Sequence, residues 1–147
     1  MRRALRLARA AARRGEVPVG AVVVVGGRAV AGAGNRTVGD RDPTAHAEVL
    51  ALRGAGRRIR NHRLTGATLY VTLEPCLMCC GAAVHARVGR LVFGAPDPKV
   101  GAISSHFRRG GPAGLNHRFD FAGGVGAAES AVILRAFFRA RRGRRPK

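Results

Sequence analysis

The sequence predicts an α/β fold in which a mixed sheet carries helices on both of its faces. Two observations favour this class. The chain opens with a helical pattern and a β-hairpin pattern, and strand-like and helix-like segments alternate after them. Such alternation is typical of parallel strands joined by crossover helices, whereas a hairpin supplies antiparallel neighbours. At 147 residues the chain suits one domain, which we expect to span residues 1–147.

The first predicted element is a helix over residues 2–14. Four arginines share one of its faces: Arg2, Arg6, Arg9 and Arg13. Three apolar side chains share another: Leu5, Ala8 and Ala12. An arginine-rich segment without acids also fits an organellar transit peptide. Because this one lacks serine and runs directly into a strand-like segment, we interpret it as the first helix of the domain.

The other elements follow from local patterns. A hairpin is expected with strands at residues 20–25 and 28–33 and its turn at Gly26-Gly27. A helix over residues 45–52, with Asp42 or Thr44 as its N-cap, should come next. A basic loop should follow, containing Arg57, Arg58, Arg60 and Arg63. The remaining elements are a strand over 67–73, a helix over 78–87, a strand over 90–94, a loop or broken helix over 97–116, a short edge strand over 118–121 and a last helix over 129–142.

The charge balance is extreme, with 27 Lys and Arg against 8 Asp and Glu and a net charge of +19. Such an excess indicates a polyanionic partner, because phosphates neutralised by basic side chains release condensed counterions. The alternative is a proteome rich in arginine, which would raise the arginine content of any protein. No apolar run approaches the roughly 18 residues of a membrane span, so we expect no membrane insertion.

All three cysteines, Cys76, Cys79 and Cys80, lie within five residues of one another. An odd, clustered set does not suit a secreted disulfide framework and points to metal binding in a reducing compartment. The sequence therefore predicts a cytoplasmic protein with a metal site.

Two short motifs carry the predicted chemistry: His46-Ala47-Glu48, and Pro75-Cys76-Leu77-Met78-Cys79. Thiols at i and i+3 on a first helical turn point the same way and can bind one zinc ion. An imidazole from His46 would make three protein ligands, which leaves the fourth tetrahedral position for water, as in catalytic zinc sites. Zinc lowers the pKa of bound water to about 7.

Glu48 lies where it can face that water without being a ligand, and it can carry the proton from water to the substrate. Taken alone, the CxxC motif also fits a structural zinc knuckle or a redox pair. A structural site needs a fourth ligand, and Cys80 should point away because adjacent helical residues diverge by about 100°. We therefore interpret Cys80 as a small buried residue.

These motifs resemble the zinc signature of the cytidine deaminase-like superfamily. The likeness extends to blocks along nearly the whole chain: EVPVGAVVV (16–24), GNR (34–36), DPTAHAEVLALR (42–53), ATLYVTLEPCLMC (67–79), RLVFGA (90–95), Asp97, Lys99, NHR (116–118) and FFRARR (137–142). Together they are similar to bacterial tRNA adenosine deaminases of the TadA type.

The resemblance implies deamination of adenosine to inosine at the wobble position of a tRNA anticodon. It implies a three-layer α/β/α sandwich around a mixed sheet of about five strands, and a homodimer. It also implies that His46, Cys76 and Cys79 bind one zinc ion per chain and that Glu48 shuttles protons. Asn35 would hydrogen-bond the flipped-out base. The other implied substrate contacts are Val17, Pro18, Ala47, Asp97, Lys99 and Phe138, with the basic tail at 139–147 against the anticodon stem-loop.

Two alternatives stay open. A guanine or cytosine deaminase acting on a free base or nucleoside would use the same zinc site, because pocket shape and flanking contacts set the substrate. A zinc-stabilised RNA-binding module would explain the charge, but it has no use for a carboxylate such as Glu48 beside the metal. Pro96 and Pro98 bracket Asp97 and fix φ at two points of the loop that carries it.

Overall fold

A hairpin and three parallel strands form one five-stranded sheet in the computed structural model, which describes residues 1–106 and 115–142. The elements are α1 (Arg2–Arg13), β1 (Gly20–Val25), β2 (Arg28–Gly34), α2 (Ala47–Ile59), β3 (Thr68–Leu73), α3 (Leu77–His85), β4 (Arg90–Ala95), β5 (Asp120–Ala122) and α4 (Ala127–Arg142). The strand order is β2-β1-β3-β4-β5. β1 is antiparallel to both of its neighbours, whereas β3, β4 and β5 are mutually parallel. The predicted mixed sheet is confirmed.

The β1–β2 hairpin turns at Gly26 and Gly27, as the sequence predicts. Both glycines have positive φ, 55° and 74°, which two-residue hairpin turns require at their central positions. Because β1 is antiparallel to both of its neighbours, β2 and β3 run in the same direction. Their carboxyl ends therefore meet at one edge of the sheet, which we call the carboxyl edge.

One face of the sheet carries α1 and α4. The backbone of α1 lies directly on β1: a Cβ added to Gly20 would sit 2.1 Å from the carbonyl oxygen of Ala4. A side chain at this position would push the helix away from the sheet. On the same face, the hydroxyl of Ser130 in α4 donates a hydrogen bond to the carbonyl oxygen of Thr72 in β3.

The opposite face carries α2 and α3 and holds the main core. Its buried side chains come from both layers: Ala21, Val23, Leu69, Val71, Leu91 and Phe93 from the strands, and Ala51, Leu52, Ala55, Cys80, Ala83 and Val84 from the helices. Burying a leucine or phenylalanine contributes about 1.5–3 kcal/mol each. Helices on both faces make the predicted three-layer α/β/α sandwich.

The start and end of α2 differ from the prediction. The N-cap is His46, so the predicted N-cap at Asp42 or Thr44 is wrong. Asp42 instead accepts hydrogen bonds of 2.7 Å from the backbone N–H and the hydroxyl of Thr44, which closes a turn ahead of the helix. The helix also continues to Ile59.

The predicted basic loop is consequently shorter. Arg57 and Arg58 lie in the last turn of α2, and Arg60 ends the helix with a left-handed φ of 54°. Buried Ala51 and Ala55 hold the end of the helix against the core, although Gly54 and Gly56 lie in the same segment. Tertiary packing therefore overrides the weak local propensity of the segment.

Smaller differences affect the other boundaries. α3 begins one residue earlier than predicted and ends at His85, α4 begins at Ala127, and the edge strand lies at Asp120–Ala122. The predicted loop over 97–116 is seen as turns in its described parts, and residues 107–114 lie outside them. No helix among the described residues is both long and apolar enough to cross a membrane.

Candidate metal-binding and catalytic site

Two helix starts meet at the carboxyl edge and bring the two sequence motifs together. α2 follows β2 through the polar segment at 35–46, and α3 follows β3 after only three residues. His46 is the N-cap of α2, and Cys76 is the N-cap of α3. In open α/β sheets, ligands bind in the crevice outside the carboxyl ends of the strands.

Three potential ligand atoms form a tight cluster in this crevice. Nδ1 of His46 lies 3.8 Å from Sγ of Cys76 and 3.5 Å from Sγ of Cys79, and the two sulphur atoms are 3.7 Å apart. Tetrahedral zinc with its usual bond lengths separates two thiolates by about 3.8 Å, and a thiolate from an imidazole nitrogen by about 3.6 Å. The cluster therefore has the donor types and the spacing of a three-ligand zinc site.

The pKa values of the two thiols are shifted in opposite directions. A hydrogen bond from the Cys79 thiol lowers the pKa of Cys76 to about 4, although burial opposes this shift. The same hydrogen bond, together with burial, raises the pKa of Cys79. A hydrogen bond with Cys76 raises the pKa of His46. Because only thiolates ligate metal, a divalent cation bound here would have to displace the proton that Cys79 retains.

Glu48 lies beside the cluster in the first turn of α2. Its side chain is buried, and its Oε2 has no hydrogen-bond partner among the described residues. Burial raises the pKa of this carboxyl group. A buried polar atom without a partner is unfavourable by about 1–3 kcal/mol, so its presence points to a group that binds there.

A cavity of about 220 Å³ opens onto the cluster and Glu48. Drug-sized ligands occupy pockets of roughly 300–1,000 Å³. The cavity thus suits one heterocyclic base, with anything attached to the base remaining outside. Of the predicted substrate contacts, Val17, Asn35 and Asp97 line it.

Asn35 is held in place by the backbone of the metal-binding segment. Its side-chain oxygen accepts a hydrogen bond of 2.8 Å from the N–H of Ala47, and its own N–H donates to Val19. Its side-chain amide nitrogen makes no hydrogen bond to any described residue, so it remains available to a base in the cavity.

The other predicted contacts lie farther from the cavity. Pro18 and Ala47 are buried and do not line it, although Ala47 orients Asn35. Lys99 is exposed two residues beyond Asp97, and its backbone N–H donates a hydrogen bond of 2.9 Å to the Asp97 side chain. Phe138 is exposed on α4 and does not line the cavity.

Glu74 is a cavity-lining residue that the sequence patterns miss. Its buried carboxylate accepts hydrogen bonds from backbone N–H groups of the loop that follows β4, those of Asp97, Ile103, Ser104 and Ser105. Burial alone would raise its pKa, but the hydrogen bonds from Ser105 and its neighbours hold the pKa at about 2. This charge fixes the loop that carries Asp97 against the end of β3.

Glu16 has the same role for a second loop beside the cavity, the one that carries Thr37. Its buried carboxylate accepts hydrogen bonds from the N–H groups of Val38 and Gly39 and from the Thr37 hydroxyl. Thr37 lines the cavity. The available sequence signal was an isolated acid beside a strand-like run, at both Glu16 and Glu74, but their partners lie 21–31 residues away.

Cys80 takes no part in the cluster. It is fully buried in the main core, its thiol lies 3.8 Å from the carbonyl oxygen of Pro75, and burial raises its pKa to about 12. This matches the prediction that it points away from the metal ligands. A larger recess of about 880 Å³ lies between α2 and α3, and it is lined by neither Glu48 nor any residue of the metal cluster.

The sheet topology is that of nucleobase deaminases, and comparison with known proteins agrees. The family model of MafB19-like deaminases matches residues 1–142. The tRNA-specific adenosine deaminase of Haemophilus influenzae is 50% identical over 97% of this chain and 83% of its own. That of Agrobacterium fabrum is 49% identical, over 97% and 93%. The chain therefore belongs to the MafB19-like deaminase family.

Solved structures support the same relationship. A structure from a study of A-to-I editing by tRNA:A34 deaminases at the wobble position matches with a TM-score of 0.86 and 49% identity, over 89% of this chain and 95% of that one. A guanine deaminase from Nitrosomonas europaea matches with a TM-score of 0.77 and 27% identity, over 92% and 80%. The predicted fold class is thereby confirmed.

Proposed function

We propose that this protein is a zinc-dependent tRNA adenosine deaminase that converts adenosine to inosine at the wobble position of an anticodon. One observation carries the chemistry: a His-Cys-Cys cluster lies at a cavity of about 220 Å³, beside the buried carboxylate of Glu48, whose Oε2 has no hydrogen-bond partner among the described residues. The choice of substrate rests on the relatives, since tRNA-specific adenosine deaminases are about half identical to this chain over nearly all of it.

His46, Cys76 and Cys79 would hold one zinc ion, which fits their donor types and mutual distances. When bound, zinc supplies a Lewis acid that lowers the pKa of water and makes it a nucleophile near neutral pH. Cys76 and Cys79 lie at the start of α3, where the positive end of the helix dipole stabilises thiolates. The structural-knuckle alternative lacks a fourth ligand among the described residues.

Glu48 moves the protons of the reaction. Its carboxylate takes a proton from water as the oxygen bonds to C6 of adenine, and it delivers that proton to ring nitrogen N1. It then takes the remaining proton of that oxygen to the departing amino group, so that adenosine and water give inosine and ammonia. Burial suits this role because it raises the pKa of Glu48 toward the working pH of a general acid and base.

The base would be held mainly by Asn35, which lines the cavity and whose amide N–H groups make no hydrogen bond to any described residue. Val17 contributes an apolar wall, and Pro18 and Ala47 support that wall and Asn35 from behind. Asp97 lies at the cavity and would meet the neighbouring nucleotides together with Lys99.

The macromolecular partner would be the anticodon stem-loop of a tRNA. The charge of +19 favours a phosphate-rich ligand. Phe138 is 45% exposed on α4, followed by exposed Arg139, Arg141 and Arg142, and would contact the stem-loop. The predicted basic tail extends to residue 147, and residues 143–147 lie outside the described structure.

A homodimer and a cytoplasmic location are further parts of the proposal. Leu77 and Met78 at the start of α3 are 51% and 37% exposed, and a second copy would cover such apolar side chains beside the site. Sedimentation equilibrium tests this: twice the chain mass is expected, and a monomer at micromolar concentration would contradict it.

A guanine deaminase is the second candidate, because the Nitrosomonas europaea enzyme shares the fold. It is only 27% identical to this chain, against 49% for the tRNA-editing structure. To test the proposal, total tRNA is incubated with the protein and sequenced for A-to-G changes at the first anticodon position. Conversion of free guanine or cytosine without any change in tRNA would favour the second candidate.

A further inference from the structure

Six arginines cover the outer side of α1 and its end: Arg2, Arg3, Arg6, Arg9, Arg13 and Arg14. All six side chains are exposed, and the helix contains no acid. At 1.5 Å per residue the helix is about 18 Å long. We call this surface the α1 arginine face.

The protein itself neutralises little of this charge. Arg9 makes an ion pair of 2.7 Å with Glu129 of α4. The other five arginines make no ion pair or side-chain hydrogen bond with any described residue. Their placement also disfavours the helix in isolation, since Arg2 and Arg3 stand at the positive end of its dipole and Arg2 and Arg6 repel each other one turn apart. A bound polyanion would relieve both effects.

The helix α1, which carries the arginine face, crosses the sheet at the edge where the cavity opens. A Cβ added to Gly34 would sit 2.8 Å from the carbonyl oxygen of Leu7, so α1 crosses the last residue of β2. The next residue, Asn35, lines the cavity. The chain also leads from the end of α1 through Glu16 to Val17, which lines the cavity as well.

The carboxyl-terminal turn of α4 contacts the chain just beyond the end of α1. Nη2 of Arg141 donates a hydrogen bond of 2.6 Å to the carbonyl oxygen of Gly15, and its guanidinium stacks over Phe137. A nucleotide whose base occupies the cavity therefore has the ends of α1 and α4 next to its flanking chain.

The side chains of the α1 arginine face suit the phosphate backbone of a nucleic acid rather than its bases. Guanidinium groups bind phosphate in a bidentate manner, and residues 1–16 contain no aromatic side chain on which an unpaired base could stack. Phosphate contacts of this kind position a duplex without reading its sequence. Insertion into an anionic membrane is disfavoured, because the apolar side of α1, with Ala4, Leu5 and Ala8, is buried against the sheet.

We propose that the α1 arginine face binds the phosphate backbone of the double-helical stem next to the edited loop. The inference rests on the proposed function, because it takes the stem of the substrate tRNA as the ligand. It assigns to α1 the task of docking the stem, while the cavity holds the target base.

The experiment compares two triple variants that each remove three positive charges. In R2Q/R6Q/R13Q the changes lie on the α1 arginine face and spare Arg9, which is paired with Glu129. In the matched control, R28Q/R58Q/R63Q, three exposed arginines are changed at the opposite edge of the sheet, where β2 begins and α2 ends. Glutamine preserves helix propensity.

Direct binding of an anticodon stem-loop is measured at several salt concentrations. Each lost phosphate contact should reduce the slope of log affinity against log salt by about 0.9. We expect the α1 variant to lower the slope by about 2–3 and the affinity at low salt by about tenfold or more, with kcat at saturation unchanged. The control should change the slope by less than about 1. A loop oligonucleotide without a stem should bind the control variant like wild type, and in the α1 variant it should lose at most the contact of Arg13, a slope change of about 0.9 or less.

Equal effects of the two triple variants, or none of the α1 variant, would overturn the inference. So would loss of binding to phosphatidylserine vesicles with unchanged RNA binding. If the triple variant does not fold by circular dichroism, the single variants R2Q, R6Q and R13Q replace it, each with an expected slope change of about 0.9. The proposed function fails separately, if wild type binds the stem-loop but leaves its adenosine unchanged.

Discussion

The backbone N–H of Ala47 donates a hydrogen bond of 2.8 Å to the side-chain oxygen of Asn35, and this bond joins the end of β2 to the start of α2. Ala47 stands between the proposed zinc ligand His46 and the proposed proton carrier Glu48. The bond fixes which end of the Asn35 amide faces the cavity, because its oxygen is already occupied. A base in the cavity is therefore offered hydrogen-bond donors from Asn35.

Replacing Asn35 by Asp tests this arrangement. Asp keeps the acceptor for Ala47 but loses the amide donors, so we expect kcat/KM to fall about 10- to 100-fold. Zinc content and thermal stability should remain near those of wild type. Steady-state kinetics and elemental analysis check the prediction. Unchanged kcat/KM in Asn35→Asp would mean that Asn35 makes no contact with the base.

Glu48→Gln should abolish turnover while leaving zinc and RNA binding largely intact. The variant keeps the shape of the side chain but cannot accept a proton, and loss of a general acid and base lowers the rate by about 100-fold or more. Glu129→Gln, an exposed carboxylate on α4, is the matched control and should retain the wild-type rate. Near-normal single-turnover deamination by Glu48→Gln would remove Glu48 from the mechanism.

Substitutions of the three cysteines should have different effects on zinc content. Cys76→Ser and Cys79→Ser should each lose zinc and activity together, because the cluster has no spare ligand among the described residues. Cys80→Ala is the control, since its buried thiol faces the carbonyl oxygen of Pro75. About one zinc per chain is expected in wild type and in Cys80→Ala. Zinc loss in the Cys80 variant would show that the ligands are misassigned.

Glu16 predicts a specific acid sensitivity of folding. Burial would raise its pKa, but hydrogen bonds from Gly39, Val38 and Thr37 outweigh it and hold the pKa below its ordinary value of 4.5. Because the pKa of Glu16 is lower in the folded protein than in the unfolded chain, the ionised side chain stabilises the fold. This stabilisation is fully present above pH 4.5 and is lost as the pH falls through the folded pKa.

The check is urea unfolding of wild type and Glu16→Gln at neutral pH and at steps below pH 4.5. The difference in unfolding free energy between them should be constant near neutrality and should shrink in acid. A difference that stays the same throughout the acid range would show that the Glu16 charge does not hold the loop at 37–39.

The sequence predicts most of the fold because its patterns are local. Gly26-Gly27 specifies the hairpin, and strand-helix alternation specifies the layers. The end of α2 could not be predicted in this way, because Gly54 and Gly56 weaken its helical pattern. A Cβ on Gly54 would lie 3.3 Å from the side chain of Ala31, so the glycine lets α2 pack closely on β2.

The residues of the site likewise fall into two groups, those that a local pattern predicts and those that it does not. His46, Glu48, Cys76 and Cys79 come from two short motifs whose spacing reveals their chemistry, and the structure brings all four together. Glu16 and Glu74 could not be found locally, because each binds a loop distant in the sequence. The predicted roles in substrate binding stay predictions for the whole set: Val17, Pro18, Asn35, Ala47, Asp97, Lys99 and Phe138.

The most direct test of the account is single-turnover deamination of a synthetic anticodon stem-loop with adenosine at the wobble position. Its all-DNA analogue, free adenosine and free guanine are assayed beside it at two salt concentrations. We expect rapid conversion of the RNA stem-loop to the inosine product, little reaction of free adenosine or guanine, and weaker stem-loop binding at the higher salt. Conversion of free adenosine or guanine as efficient as that of the stem-loop, or binding that is independent of salt, would contradict this expectation.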